Sequence, residues 1–467
     1  MSVERSEPLP SIRDDGLPIP RRYWAIVAIL LAICMSVLDS TIANIALPSI
    51  ARSFHITQAA SVWVINAYQL AILVALLPLS SLGEVVGYRR VSQTGLAVFT
   101  LASLGCAFAP SLAILSVARV VQGLGAAGIM SVNAALVRFT YPQRMLGRAI
   151  GINAFVIALS AAIGPTVAAA VLAVAQWRWL FAINVPIGIV AIAISLGALP
   201  ASERVPRRLS YVSIALNGGA FVLLVGGLQT FAHEQTALIA IAQIAAGCVL
   251  AYALLRNELG STAPLLPLDL LRIRLFRLSV LTSVCSFIAQ MAALVALPFE
   301  IERLGRSPVQ TGLLMTPWSV AVALAAPLAG RLADRHHPGI LGGAGLLTLA
   351  AGLLLLATMS HPVTAWDFIW RMALCGAGFG LFQSPNNRAM LASAPLARSG
   401  AAGGMLSTAR LLGQTVGAAG VAVLFRSYAQ RGSQMALYIA AGFAVAAALV
   451  SLRRLNEQHP SAHAAPD

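Results

Sequence analysis

Charge is scarce in this chain, and lysine is missing altogether. Of 467 residues only 10% are charged and 58% are hydrophobic, with a mean hydropathy of +0.83. A soluble domain carries about 25% charged residues, so an ordinary soluble protein is excluded and the chain belongs in lipid. All 31 basic residues are arginine, which reads as composition bias. The net charge of +15 is distributed along the chain in a way that argues against a nucleic-acid partner. The five cysteines, Cys34, Cys106, Cys248, Cys285 and Cys375, each fall in a different apolar run with no CxxC spacing. They read as small core hydrophobes, and no metal is implied. His336 and His337 read as a turn. There is no GxxxxGK[ST] loop for a nucleotide and no HExxH or GxSxG for an intramembrane enzyme. Residues 1–20 are polar and no small-residue cleavage site follows the first apolar run, so that run is expected to stay as a span.

What is present is length. Runs of about 20 residues or more, enough to cross a bilayer, fall near 24–47, 61–83, 91–109, 112–137, 147–173, 178–199, 211–231, 236–255, 275–299, 311–333, 339–359, 366–390, 402–425 and 434–452. The fold class expected is all-α and polytopic, with fourteen spans. An even count puts both termini on one side. With that side inside, the inner loops and helix ends hold nineteen arginines against seven outside, which predicts cytoplasmic termini. A repeat is visible: Ser80–Gly87 closes the second run and Gly330–Arg335 the tenth, each a small-x-Leu-small-acid pattern before a short basic loop. The parse is a tail (1–22), a six-helix bundle (23–200), a linker with two additional helices (201–274), a second six-helix bundle (275–452) and a tail (453–467). Parallel repeats of this kind predict two bundles related by an axis along the membrane normal.

Polar residues inside apolar runs are the functional candidates. Arg119 lies in the run from Leu112 to Val137, where a central arginine costs roughly 2.5–3.5 kcal/mol. Asp39, in the first run, is the expected partner. Counting from the outer helix ends, both lie roughly 10–12 Å deep. Such a pair suits proton-coupled work; a fixed ion pair that only specifies packing is the alternative. Gly123–Gly128 offers a smooth face to a neighbouring helix. Gly164-Pro165 predicts a kinked helix with a small face that includes Ser160, suited to a rocking bundle interface or to a mere packing kink. Glu84, Gly87, Arg89 and Arg90, with Asp334 and Arg335 in the second repeat, form a candidate inner gate, because an acid at a helix C-terminus needs compensation. Glu300 and Glu302 read as a solvated rim. Candidate pocket residues are Asn66, Gln69, Asn153, Gln290, Trp318 and Gln383, with Asn133, Asn386 and Asn387 beside them.

These segments resemble the major facilitator superfamily, and in particular its fourteen-helix drug/proton antiporters. Leu38–Pro48 (LDSTIANIALP) is similar to the first-helix motif LDxTxxNxALP, and Leu115–Ala127 (LSVARVVQGLGAA) to the fourth-helix motif around a membrane arginine. Ser160–Ala169 resembles the fifth-helix antiporter motif gxxxGPxxGG, with Ser160, Ala168 and Ala169 in place of glycines. Trp177–Gly188 is similar to WRWxFxINxPxG at the start of the sixth helix. Between helices two and three the family has GxLaDrxGrk; here Ser80, Glu84 and Val85 replace the first Gly, the Asp and the Arg. The resemblance implies two six-helix bundles with two extra central helices and proton-coupled export of amphipathic small molecules by alternating access. Asp39 and Arg119 would carry the coupling and Gly164-Pro165 the rocking interface. It implies no cofactor beyond the proton gradient, a multi-pass place in the cytoplasmic membrane, and a fold for which a monomer suffices. An uptake permease of the same fold is the nearest alternative; a non-transporting receptor or assembly protein is a more distant one.

Overall fold

Backbone amides in hydrocarbon must be satisfied within their own segment, and apolar runs of this length therefore coil into helices. The structure, a computed structural model, describes residues 16–142, 145–200, 210–232, 237–259, 269–333, 336–359, 364–394, 399–428 and 431–456. Among these residues there is no strand. In chain order the helices are α1 (Arg21–Phe54), α2 (Gln58–Ser61), α3 (Trp63–Val86), α4 (Tyr88–Ala107), α5 (Leu112–Thr140), α6 (Leu146–Val174), α7 (Trp179–Ala182) and α8 (Asn184–Ala198). They continue with α9 (Tyr211–Ala232), α10 (Ala237–Leu259), α11 (Arg274–Arg303), α12 (Pro308–Leu332), α13 (Pro338–Ala357), α14 (Ala365–Ala392), α15 (Ser399–Ser427) and α16 (Gly432–Leu452).

Local chemistry sets the boundaries. Ser111 caps α5 by accepting from the amide of Ile114, and Ser307 with Gln310 forms a capping box on α12. Gly87, with φ of 102°, makes the sharp turn from α3 into α4, a backbone that a side chain would strain. His337 caps α13 by accepting from the Gly339 amide. Two runs expected as single helices are interrupted, at Val62 between α2 and α3 and at Ile183 between α7 and α8. In the second case Pro186 sits in the first turn of the restarted helix, where its missing amide is tolerated.

Twelve of the described helical segments are long and apolar enough to cross a membrane. α4 and α14 are comparably long but fall outside that set. The reason is visible in their sequences: Arg89, Arg90 and Gln93 start α4, while Asp367, Arg371, Gln383, Asn386 and Arg388 punctuate α14. The chain is therefore a multi-pass membrane protein by helix content.

α1 and α3–α8 pack together, as do α11–α16. The two groups meet along α6–α12, α3–α15 and α1–α11. We call the membrane face where α1 begins the proximal face and the other the distal face. At the distal ends one apolar cluster joins both halves, with Ile45, Leu47 and Ile50 of α1 beside Met291, Val295 and Phe299 of α11 and Trp318 of α12. Arg52 and Glu302 pair across this closure. α9 and α10 pack on each other, and α9 also lies against both α3 and α15. Asn217 anchors it by donating from Nδ2 to the Val74 carbonyl at 3.2 Å.

Candidate functional site

Arg119 reaches its neighbours because glycines bring three helices close together. A Cβ at Gly123 would lie 2.5 Å from the Tyr68 carbonyl of α3, and one at Gly125 would lie 2.5 Å from the Phe99 amide of α4. With α3 drawn in, the Arg119 guanidinium stacks 4.1 Å from the centre of the Tyr68 ring, and its Nε donates to the Val64 carbonyl at 3.0 Å. Phe181 of α7 covers it at 5.4 Å. Cation–ring contacts of this kind strengthen when water is excluded.

Asp39 and Arg119 are brought together as a buried ion pair, Nη1 on Oδ2, with both side chains 1% exposed. Two amides complete the site. Gln122 donates from Nε2 to Asp39 Oδ1 at 3.0 Å and to Ser103 Oγ at 2.8 Å, while its Oε1 accepts from Arg119 Nη1 at 2.6 Å. Asn184 of α8 donates to Asp39 Oδ1 at 3.0 Å. The Cys106 thiol donates to Gln122 Oε1 at 3.5 Å. Both carboxylate oxygens thus have donors, and the two charges cancel in a space closed to water. Gln122 and Asn184 carry no charge to flag them, but both lie in the motif segments quoted above, Asn184 at the fixed asparagine of WRWxFxINxPxG and Gln122 three residues beyond Arg119 on the same helix face.

Contacts continue from Asp39's helix to the junction between the halves. Two residues along α1, the Thr41 side chain occupies the place a Cβ at Gly164 would take on α6. The next turn of α6 faces the other half: a Cβ at Gly312 of α12 would lie 2.8 Å from the Pro165 carbonyl and 2.8 Å from the Ala169 methyl. The alanine at 169 is therefore matched by a glycine on the opposing helix. Thr166 and Thr316 share a hydrogen bond of 3.0 Å across this seam. Ser160 is buried and donates to the Val156 carbonyl of its own helix.

The other candidates scatter. At the expected inner gate Glu84 is half-buried, Arg90 is exposed, and Arg89 donates to the Leu196 carbonyl, tying α4 to α8. Asp334 and Arg335 lie outside the described residues. Among pocket candidates, Asn153 accepts from Asn133 at 3.1 Å, Gln69 makes a 3.9 Å contact with Met291 Sδ, and Gln290 and Gln383 are half-buried. Asn66 and Trp318 are buried, and their side-chain polar atoms have no hydrogen-bond partner among the described residues. Glu302 is no solvated rim: its side chain is 8% exposed in its pair with Arg52. A distal cavity of about 620 Å³ lies beside it, lined by Pro48, Arg52, His55, Phe299 and Glu302 among others. Cys106 and Cys375 are buried as expected of core hydrophobes, whereas Cys248 is exposed on α10. Among the described residues no group of His, Cys, Asp and Glu is arranged to hold a metal.

Comparison with known proteins agrees with this architecture. The chain is 51% identical over 452 residues to the uncharacterized transporter YebQ of Escherichia coli (strain K12), covering 96% of this chain and 99% of that one. It is 32% identical to the multidrug resistance protein Stp of Mycobacterium tuberculosis, over 84% of this chain and 74% of that one. It is 30% identical to the riboflavin transporter RibZ of Clostridioides difficile, over 85% and 87% of the two chains. A crystal structure of a bacterial homologue of the human lysosomal transporter Spinster superposes with a TM-score of 0.68 at 13% identity, over 94% of this chain and 97% of that one, a likeness of fold. The family model described as Major Facilitator Superfamily matches residues 29–280 and 279–467. With both halves matched, the chain belongs to the major facilitator superfamily and is a transporter of that family.

Proposed function

We propose that this transporter exports amphipathic small molecules in exchange for protons, by alternating access between its two halves. The observation that carries the reading is the sealed Asp39–Arg119–Gln122–Asn184 network, linked through Thr41 to the Gly164-Pro165 face that abuts α12. Protonation of Asp39 removes the charge that holds Arg119, loosens α1 from α5 and α8, and shifts the α6–α12 seam. Gradient and membrane potential drive the cycle, the latter at about 2.3 kcal/mol per charge per 100 mV, so no cofactor enters the reading. α4 and α14 cross the membrane with the other twelve segments, giving fourteen spans and both termini in the cytoplasm of a cell whose cytoplasmic membrane holds the protein as a monomer. The name of Stp at 32% identity supports export. The name of RibZ specifies no direction, so uptake is the second reading.

Inside-out membrane vesicles, energised to be acid inside and loaded with a pH-sensitive dye, test the proposal. Amphipathic compounds that dissipate the gradient with the native chain and not with Asp39→Asn support antiport through this site. Equal responses from both proteins for every compound overturn it. Accumulation of labelled compound in whole cells, rather than its exclusion, favours uptake.

A further inference from the structure

α15 carries a second arginine inside a bilayer-length run. Arg410 lies about 16 Å along the helix from Ser399, within the apolar span Ala402–Ser427. It is half-buried, and it makes no hydrogen bond or ion pair with any described residue. Arg119 is neutralised by Asp39; Arg410 has no such acid among the described residues.

Packing fixes which way Arg410 faces. Gly413 and Gly417 mark the side of α15 against α11, since Cβ atoms there would lie 2.6 Å from the Val284 carbonyl and 2.7 Å from the Ile288 carbonyl. Gly404 and Leu411 mark the side against α3, with Leu77 3.6 Å from a Cβ at Gly404 and Leu411 packed in one cluster with Tyr68. At 3.6 residues per turn, Arg410 stands roughly 40° from the first line and about 110° from the second, on the short arc between them. Gly403, Ser407 and Gln414 share that arc, and all three are half-exposed. A Cβ at Gly403 would meet nothing within 4 Å. The remaining face of α15 is taken up by α9, α16 and α14, where Thr408 and Ala409 are buried and Met405 packs with Met390 of α14 and Phe276 of α11. Because α11 and α3 belong to different halves, the arc bearing Arg410 opens onto the space between the halves.

We propose that Arg410 recognises an anionic group of the transported amphiphile, a carboxylate, sulfonate or phosphate, with Ser407 and Gln414 as flanking polar groups. A guanidinium without a counter-charge at that depth is stabilised most by an anion presented to its fork of donors. This deepens the transport reading and rests on it. It assigns the substrate class: amphipathic acids, in place of lipophilic cations.

The test uses the full chain in lipid nanodiscs and a matched probe set on one naphthalene scaffold bearing a sulfonate, a carboxylate, a carboxamide or a methylammonium group. The two acids bind, and Arg410→Gln raises their Kd roughly 10–100-fold, while Arg410→Lys keeps part of the affinity. The proposal is overturned if neither acid binds, if the amide or ammonium probe binds as well, or if Arg410→Gln changes nothing. Phenylglyoxal labelling followed by mass spectrometry guards against a folding artefact. Arg410 of the native chain is modified and is protected by the bound acid, whereas sealed Arg119 is not modified; an unmodified Arg410 also overturns the proposal. Proton-driven flux in proteoliposomes separates the two ideas. Arg410-dependent acid binding without such flux sinks antiport alone. Flux of the cationic probe that survives Arg410→Gln sinks the anion site alone.

Discussion

Replacing Asp39 by asparagine keeps the volume of the side chain and removes its charge. The neutral amide leaves Arg119 as an uncompensated cation with a 1% exposed side chain. Breaking a buried pair on one side costs about 3–5 kcal/mol. In a unit of roughly 150–250 residues each kcal/mol is worth about 2–4 °C, so thermal unfolding in detergent moves down by about 6–20 °C. The paired change Asp39→Asn with Arg119→Gln removes both charges and leaves Gln122, Asn184 and Ser103 with amide partners, so at least half of the lost stability returns. Proton-coupled flux does not return, because the carboxylate that would take the proton is gone. A loss of only about 1 kcal/mol or less for Asp39→Asn refutes the argument, since no charge would then be buried there. A double variant as unstable as the single one also refutes it.

Three further outcomes are expected. Gly164→Ala drives a methyl into the Thr41 side chain, an overpacking cost of about 1–3 kcal/mol, and slows vesicle flux; Thr41→Gly in the same protein relieves it, and failure of that rescue removes the α1–α6 contact from the mechanism. Asn184→Ala withdraws one of two donors from Asp39 Oδ1 and lowers stability by about 1–3 kcal/mol, read as a shift in unfolding midpoint; an unchanged midpoint means that hydrogen bond is not made. Arg52→Ala breaks the pair that spans the distal closure, so a cysteine placed at buried Gln69 reacts faster with an impermeant maleimide added from the distal face; equal rates mean the pair does not hold that end shut.

Charges were the legible part of the site, because a charge in an apolar run has no cheap place to go. Asp39 and Arg119 could be matched by depth alone, each a known number of residues from a helix end. Their amide neighbours gave a weaker signal: Gln122 and Asn184 lie in motif segments that Asn66 and Asn133 do not share, but only packing shows that these two amides converge on Asp39. Arg410 sends the signal Arg119 sends, but no acid at equal depth in a neighbouring run completes the pattern, and its meaning depends on the rotation of α15, which glycine contacts with α11 and α3 determine. The fold was legible because lipid leaves long apolar segments no alternative to helix. Its finer divisions were less so. The breaks at Val62 and Ile183 occur in runs without a change in hydropathy, and the polar residues of α4 and α14 dilute the apolar signal of helices that pack like their neighbours.

The position of α9 makes the two junctions between the halves unequal. On one side α6 meets α12 across glycine, proline and threonine, with α1 packed against both. On the other, α9 rests on α3 and α15 together, with α10 behind it. One junction is thus a direct helix-to-helix seam and the other a gusseted joint. If the halves rock as proposed, the α6–α12 line is the one that can part among the described helices, and the α9-braced line is the edge about which they turn.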